Sequence, residues 1–351
     1  MKQQKTGLIP LKSIKDILKT LPLGDFKTTT RIKVPNKNDF IDVIIKLSKN
    51  NGVKSLVIEY ILNGEPRNIR NAALQINNYA KAIKSSYGVV VAPYISDNAA
   101  KICKEMNVGY FDLSGNCYLQ FGNVLIEKTG KPNKSIIKRK QRTLFSNKAA
   151  RIIRILLSNT KKAWGVRELA TEADVSPSYV SKIKQFLIGQ EWIDISKEEI
   201  VLNNPKEILD EWVRARRFIE TGTLKYFTLK KPHEIEKDLS SYCKKNSISF
   251  ALTGFSAAIR YAPMVPSNRV VAYVTGDISK ITKDLDLKLV DSGANIELII
   301  PKDEGVFYNS QIIDDIQLVS PIQTYIDLIN VRGRGEEAAN AVFEKKVSSL
   351  W

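Results

Sequence analysis

With 351 residues, 54 of them lysine or arginine against 37 aspartates and glutamates, the chain is too long for one ordinary core. Its formal charge of +17 makes a polyanion the expected partner, because each neutralised phosphate releases counterions. A single histidine, His233, excludes a multi-histidine metal centre and argues against a His-based triad. Three scattered cysteines, Cys103, Cys117 and Cys243, lack metal-ligand spacing and are expected as reduced core thiols of a cytoplasmic protein. The opening MKQQKTGLIPLKSIKD has no apolar run of signal-sequence length, and no later run could span a bilayer, so no membrane partner is expected.

In chain order, Leu11 to Thr20 reads as a short helix followed by a polar, Thr-rich loop. Its stretch Ile14 to Leu21 could be a solvated helix or a basic amphipathic one for anionic lipid. Phe40 to Leu47 is apolar and β-branched enough for a strand but also fits a helix, and Val53 to Leu62 reads as a strand. Ile69 to Ser85 is a long helix, Gly88 to Tyr94 a buried strand and Asp97 to Met106 a helix. Tyr110 to Asp112 and Cys117 to Glu127 supply further strands. Alternation of this kind predicts an α/β domain over residues 1–130. Asp112, Gly115 and Asn116 form either a functional turn or a capped structural one.

The stretch VIEYILNGEPRNIRNAALQINNYAKA, Val57 to Ala82, resembles the core of the PD-(D/E)XK nuclease-like fold. In that family a strand ending in Glu-x-Lys leads to a helix bearing Gln-x-x-x-Tyr. Gln75 and Tyr79 match the helix, and Glu59 matches the acid. The resemblance implies Asp42 or Asp39 as the second acid, a divalent ion between the carboxylates and a lysine that activates water. Ile61 stands where that lysine belongs, so the expectation is an inactive nuclease-like scaffold used for binding.

Residues 131–145 read as a basic linker. KPNKSIIKRKQR carries no acid, and Lys138, Arg139, Lys140 and Arg142 are expected to follow phosphates, giving affinity without sequence readout. Residues 146–204 then read as a winged helix-turn-helix. Ser146 or Asn147 caps a first helix running to Leu157. Val166, Leu169 and Ala170 begin the second, and Ala173-Asp174-Val175 make the turn. Ser176 is suited to an N-cap, and Pro177 to the first helical position, whose N–H has no intrahelical partner. On the third helix Val180, Ile183 and Leu187 share one sector. The opposite one holds Ser178, Ser181, Lys182 and Gln185, a small, polar, basic face fit for base edges in a major groove. Trp192 to Ser196 and Ile200 to Leu202, joined by Lys197-Glu198-Glu199, give the wing. The expected DNA-binding set is Arg167, Ser176, Ser178, Tyr179, Ser181, Lys182, Lys184 and Gln185 with the basic linker; the plainer alternative is an amphipathic helix pair without a ligand.

Residues 205–351 predict a second α/β domain. Its helices are Glu207 to Glu220, Ile281 to Val290, Ile322 to Asn330 and Glu336 to Lys345. Its strands are Phe250 to Thr253, Val270 to Thr275 and Asn295 to Pro301, with Phe307-Tyr308 and Ile316 to Val319 as short additions. ALTGFSAAIRYAP, Ala251 to Pro263, resembles the opening of the nucleotidyltransferase fold. The next strand lacks that family's paired acids and offers only Asp277, so the domain is expected as a degraded version without nucleotidyl transfer. Gly254 and Ser256 then serve a tight strand-to-helix turn. The segments SGANIELIIPKDEGVF, SPIQTYIDLI and RGRGEEAA, with Gly254, Gln323, Asp327, Gly333, Arg334 and Gly335, resemble the AbiEi-type antitoxin and transcriptional regulator group. The likeness runs from about Ser146 to the end, or over the whole chain if variants with a nuclease-like N-terminal domain are counted, with the winged helix internal here rather than near the N-terminus.

The expectation is an α/β multidomain chain in three parts: a nuclease-like N-terminal domain, a central winged helix-turn-helix and a C-terminal α/β domain resembling a degraded nucleotidyltransferase fold. Its expected function is that of a sequence-specific, non-catalytic DNA-binding regulator, antitoxin-like and autoregulatory, on a plasmid or other mobile element. The expected partners are double-stranded DNA, a second copy and a toxin, with no cofactor and no metal. The alternative is a metal-dependent nuclease delivered by its winged helix, with Asp42, Glu59 and Gln75 as its site, Lys46 or Lys54 as the recruited base, and magnesium as its ion.

Overall fold

The structure is a computed structural model describing residues 10–34, 40–48, 53–133, 144–145, 147–216, 222–262, 268–331 and 333–351. The chain divides into two compact units, Met1–Arg139 with Phe186–Glu191, and Lys140–Gln185 with Trp192–Trp351. Most of the winged-helix segment therefore shares a unit with the C-terminal residues. Among the described residues no helix is long and apolar enough to cross a membrane.

The first unit is built on a seven-stranded sheet in sequential order, β1 (Phe26–Lys33), β2 (Phe40–Leu47), β3 (Ser55–Tyr60), β4 (Ser86–Ala92), β5 (Gly109–Asp112), β6 (Cys117–Phe121) and β7 (Val124–Lys128). The β3–β4–β5 pairs are parallel and the rest antiparallel. Helices α2 (Pro66–Lys81) and α3 (Asp97–Glu105) make the parallel crossovers and bury Ile69, Ile76 and Ile102 against Val57 and Val90 on one face. Helix α1 (Leu11–Lys19) buries Ile14 and Leu18 on the other, with Val43, Val89 and Phe111. Leu21 joins the same core, so the apolar side read as a lipid-binding candidate is occupied by the protein itself.

Two local expectations change here. The Thr-rich stretch read as a loop is strand β1, with Thr28 opposite Ile45 and Thr30 opposite Val43. Threonine's branched Cβ suits a half-exposed strand however polar the run looks. Phe40–Leu47 is a strand, which settles the choice left open between strand and helix.

The Asp112 turn is structural. The carboxylate is fully buried; one oxygen accepts N–H bonds from Ser114, Gly115 and Asn116 at 2.8–2.9 Å, and the other accepts from the Ile95 N–H at 3.2 Å and the Asn116 amide at 2.8 Å. Asn116 in turn pairs with both backbone groups of Lys131.

The second unit opens with α4 (Asn147–Ser158), α5 (Val166–Glu172) and the Pro177–Gln185 part of α6 (Pro177–Gly189), the segment expected as a winged helix, then α7 (Pro205–Arg216). A second seven-stranded sheet follows, in the order β11-β8-β12-β10-β9-β14-β13, comprising β8 (Gly222–Phe227), β9 (Phe250–Leu252), β10 (Val270–Val274), β11 (Lys288–Leu289), β12 (Ile296–Ile300), β13 (Gln311–Ile313) and β14 (Ile316–Leu318). Helix α8 (Pro232–Lys245) packs on β9, β10 and β14, while α9 (Gly254–Tyr261) packs on β10, α11 (Pro321–Leu328) and α12 (Gly335–Val342).

The expected helix over Ile281 to Val290 is instead α10 (Ile278–Asp284), broken where Asp286 turns left-handed at φ 54°, and then β11. Phe307-Tyr308, expected as a strand, ends a 3₁₀ turn over Glu304–Phe307 that Asp303 caps by accepting the Gly305 N–H. Strands β8 and β13 and helix α8 lie in stretches where no element was read.

Replacing Asp112 by Ala strands several buried N–H groups and should destabilise the first unit by about 3 kcal/mol or more. All four tryptophans, Trp164, Trp192, Trp212 and Trp351, belong to the second unit. In urea, far-UV circular dichroism should therefore show an earlier transition while tryptophan fluorescence keeps its midpoint.

Candidate nucleic-acid interface

The third helix of the winged segment is two-sided as its spacing predicts. Val180, Ile183 and Leu187 are buried, and Ser178, Ser181, Lys182 and Gln185 are exposed. Its start is built by the expected cap. Ser176 Oγ accepts the Tyr179 N–H at 3.3 Å, and Pro177 is the first helical residue. The turn before it bends through Asp174 at φ 50°, a left-handed conformation that aspartate tolerates better than most residues. Ser178 Oγ lies 3.0 Å from Ser176 Oγ, and Ser181 Oγ donates to the Pro177 carbonyl at 3.1 Å, so both hydroxyls have partners within the capped helix. Arg167, on α5, is exposed, and Tyr179 is half-buried.

The stretch expected as a wing carries isolated antiparallel bridges. Trp164 bridges to Ile200 and Ile193 to Leu202, the Asp194 N–H reaches the Val201 carbonyl at 3.0 Å, and Asp194 accepts from Ser196 at the turn. Its tip exposes Lys197, Glu198 and Glu199, so the wing brings no net positive charge. Lys184, expected at a phosphate, is half-buried and donates to the Glu198 carbonyl, which ties the helix to the wing. Lys138, Arg139, Lys140 and Arg142 lie outside the described residues, as do Asp39 and Ser146.

In the first unit β2 pairs antiparallel with β3, with Val43 opposite Ile58, so Asp42 and Glu59 each sit one residue further along. Asp42 accepts the Tyr60 N–H at 2.9 Å, and Gln75 donates to the Tyr79 hydroxyl at 2.5 Å. Glu59 is buried at 3% exposure. Among the described residues no group of three or more His, Cys, Asp or Glu side chains is placed to hold a metal ion.

At the turn resembling the nucleotidyltransferase opening, Gly254 adopts φ 58°, where a side chain would be strained. Ser256 accepts the Val271 N–H at 3.1 Å and donates to the Arg269 carbonyl, pinning α9 to β10. Asp277 caps α10. Thr253 donates to Asp327 at 2.6 Å, and the other Asp327 oxygen accepts from Tyr273 at 3.1 Å and Gln323 at 2.8 Å.

Sequence reading missed a pair of arginines on α4. Arg154 is 5% exposed and forks onto Gln323 Oε1 at 2.8 and 3.1 Å, with its guanidinium 4.9 Å from the Trp212 ring centre. Arg151 holds Asp303 at 2.9 and 3.1 Å and Asp174 at 2.9 Å. The available signal was two arginines three residues apart within the apolar run of NKAARIIRILLS, since a charge on a buried stripe requires a partner.

Burial pushes the Asp303 carboxyl up, but hydrogen bonds from Arg151 and the Gly305 N–H outweigh it and leave the group below its ordinary value of 3.8. The unfolded chain therefore binds that proton more readily. The stability contributed is complete above the ordinary value and is lost as pH falls through it towards the folded one. The stability gap between wild type and Asp303→Asn should be constant from roughly pH 5 to 7 and shrink below about pH 4. Thermal unfolding followed by tryptophan fluorescence measures it.

Residues 201–348 match a family model described as "Transcriptional regulator, AbiEi antitoxin, Type IV TA system". No curated protein matches the chain. A solved structure similar to part of it is that of a repair endonuclease from Pyrococcus abyssi, 18% identical over 30% of this chain and 47% of that one, with a TM-score of 0.23. That match spans about half the endonuclease's length. The C-terminal part, from the end of the wing to Ser348, is thus similar to a family of transcriptional regulators and antitoxins.

Proposed function

We propose that the chain is a sequence-specific DNA-binding transcriptional regulator of the antitoxin type, acting on its own promoter on a plasmid or other mobile element. The observation that carries this reading is the outer side of α6, where Ser178, Ser181, Lys182 and Gln185 stand exposed on a capped helix whose inner side is buried. Short polar side chains with one cation can approach base edges, and none of these four side chains is a carboxylate. Arg167 and Ser176 line one cleft and with Tyr179 suit contacts to the phosphate backbone, and the basic residues Lys138, Arg139, Lys140 and Arg142 are proposed to add phosphate contacts. Lys184 contributes by holding the wing. The match of residues 201–348 to a regulator and antitoxin family supports the same reading. It also motivates two further parts of the proposal, a toxin partner for the C-terminal part and a second copy that completes a pseudopalindromic site.

Lys182→Glu puts a repelling charge at the groove. It should weaken binding to a promoter duplex by about a hundredfold or more at moderate salt, with the tryptophan emission spectrum unchanged. Wild-type affinity in that variant would remove α6 from the proposal.

A second reading, a metal-dependent nuclease, draws on the matching positions of Asp42 and Glu59 on β2 and β3. Ile61 leaves it without the motif lysine. Supercoiled DNA incubated with the protein and magnesium or manganese should remain intact. Cleavage that disappears in Glu59→Ala would replace the regulator with an enzyme.

A further inference from the structure

Helix α4 carries two arginines one turn apart that join the helix-turn-helix to the C-terminal sheet. Arg154 reaches inward to Gln323 on α11, whose amide continues to Asp327. Arg151 reaches sideways, binding Asp303 beside the 3₁₀ turn with one part of its guanidinium and Asp174 in the α5–α6 turn with another. The same 3₁₀ segment makes a second contact with that turn, because the Tyr308 hydroxyl donates to Glu172 at 2.9 Å. Two carboxylates flanking the start of the candidate recognition helix are thus engaged by groups outside the α5–α6 pair.

Arg151, Glu172, Asp174, Gly305 and Tyr308 line an open cleft at this junction, yet the Cα of Gly305 itself is closely packed. A Cβ added to Gly305 would lie 2.7 Å from Asp303 Oδ1 and 2.8 Å from Arg151 Cγ, well inside van der Waals contact. The backbone at Gly305 also donates to Asp303 at 2.8 Å, fixing the carboxylate that Arg151 grips. The arrangement is a clamp with defined jaws. One is the Asp303–Tyr308 turn, the other the Glu172–Asp174 turn, and Arg151 joins them.

We propose that this clamp sets the presentation of α6 to DNA, with Arg151 as a positioning residue, so that anything gripping the Asp303–Tyr308 turn changes duplex affinity without touching duplex. The proposal rests on the DNA-binding reading and adds its regulation. By linkage, a partner that prefers the opened clamp lowers duplex affinity by the factor by which duplex lowers its own. Engaging Glu172 and Asp174 also tempers their repulsion of phosphate at the helix entrance.

The test uses the full chain and a labelled duplex carrying its own promoter region, with Gly305→Ala, Asp303→Asn, Arg151→Lys and Arg151→Gln. All four should weaken binding about tenfold, and the slope of log affinity against log salt should stay at its wild-type value, because no phosphate contact is removed. Lysine should not rescue position 151, since an ammonium lacks the planar fork that spans both carboxylates. Backbone amides of Glu172–Val175 should exchange with deuterium about tenfold faster in Gly305→Ala and Asp303→Asn, a readout that needs no DNA.

Unchanged affinity and unchanged exchange in these two variants would overturn the proposal. So would a salt slope shallower by about one in Arg151→Gln with full rescue by lysine, because Arg151 would then be a phosphate ligand. If the wild type binds no duplex, the functional reading fails by itself and the exchange rates alone decide whether the clamp exists.

Discussion

A guanidinium removed from water must be fully engaged or the structure that buries it is untenable, and Arg154 is buried to 5% exposure. Its fork onto Gln323 and its place over Trp212 supply part of that engagement. Both solutions draw on elements far along the chain, α11 and α7. Gln323 can receive the fork because its own amide is spent on Asp327, and Asp327 is oriented by Thr253 and Tyr273 from the sheet. One buried charge thus ties α4 to α11 and α7 within the second unit.

Placement of the candidate interface follows from that tie. Helix α4 carries Arg154 inward and Arg151 towards the α5–α6 turn, and from the turn the Ser176 cap starts α6 with its apolar side buried. The outer side is left polar and accessible by the same periodicity that buries the inner one. The wing contributes little charge, and its link through Lys184 makes it a brace for α6. The first unit is self-sufficient in a different way, with two apolar faces on one sheet and a carboxylate, Asp112, organising its β5–β6 turn.

Much of this was legible in the sequence where the signal is local. Ser176-Pro177, the sector of Val180, Ile183 and Leu187, and the opposed polar residues are all set within a few turns of one helix. The alternation of strands and helices from Val53 onward in the first unit was equally plain. Strand β1 was hidden because a run of threonines looks like a loop to any reading based on polarity, while its branched side chains favour the strand. Strand β11 was hidden inside an apparently helical run because the break depends on Asp286 going left-handed. Phe307-Tyr308 looked like a strand because two adjacent aromatic residues outweigh the Asp303-x-Gly305 cap before them in any propensity count. The Arg154–Gln323 fork spans 169 residues, and no periodicity reports which amide a buried arginine will meet. Whether Asp42 and Glu59 make a working site depends on a third group that the motif itself does not supply.

The central claim is that the outer side of α6 meets duplex, and accessibility of a single thiol tests it most directly. Cys103, Cys117 and Cys243 are buried, and burial raises the pKa of each, so they react slowly with alkylating reagents. A Ser181→Cys chain therefore presents its new thiol as the fast-reacting one, and its rate of modification by iodoacetamide can be followed with and without promoter duplex. The account predicts fast modification of the free protein and strong protection at saturating duplex, with unrelated duplex protecting far less at the same salt. Equal rates with and without a duplex that is demonstrably bound would place the DNA elsewhere on the molecule and contradict the account.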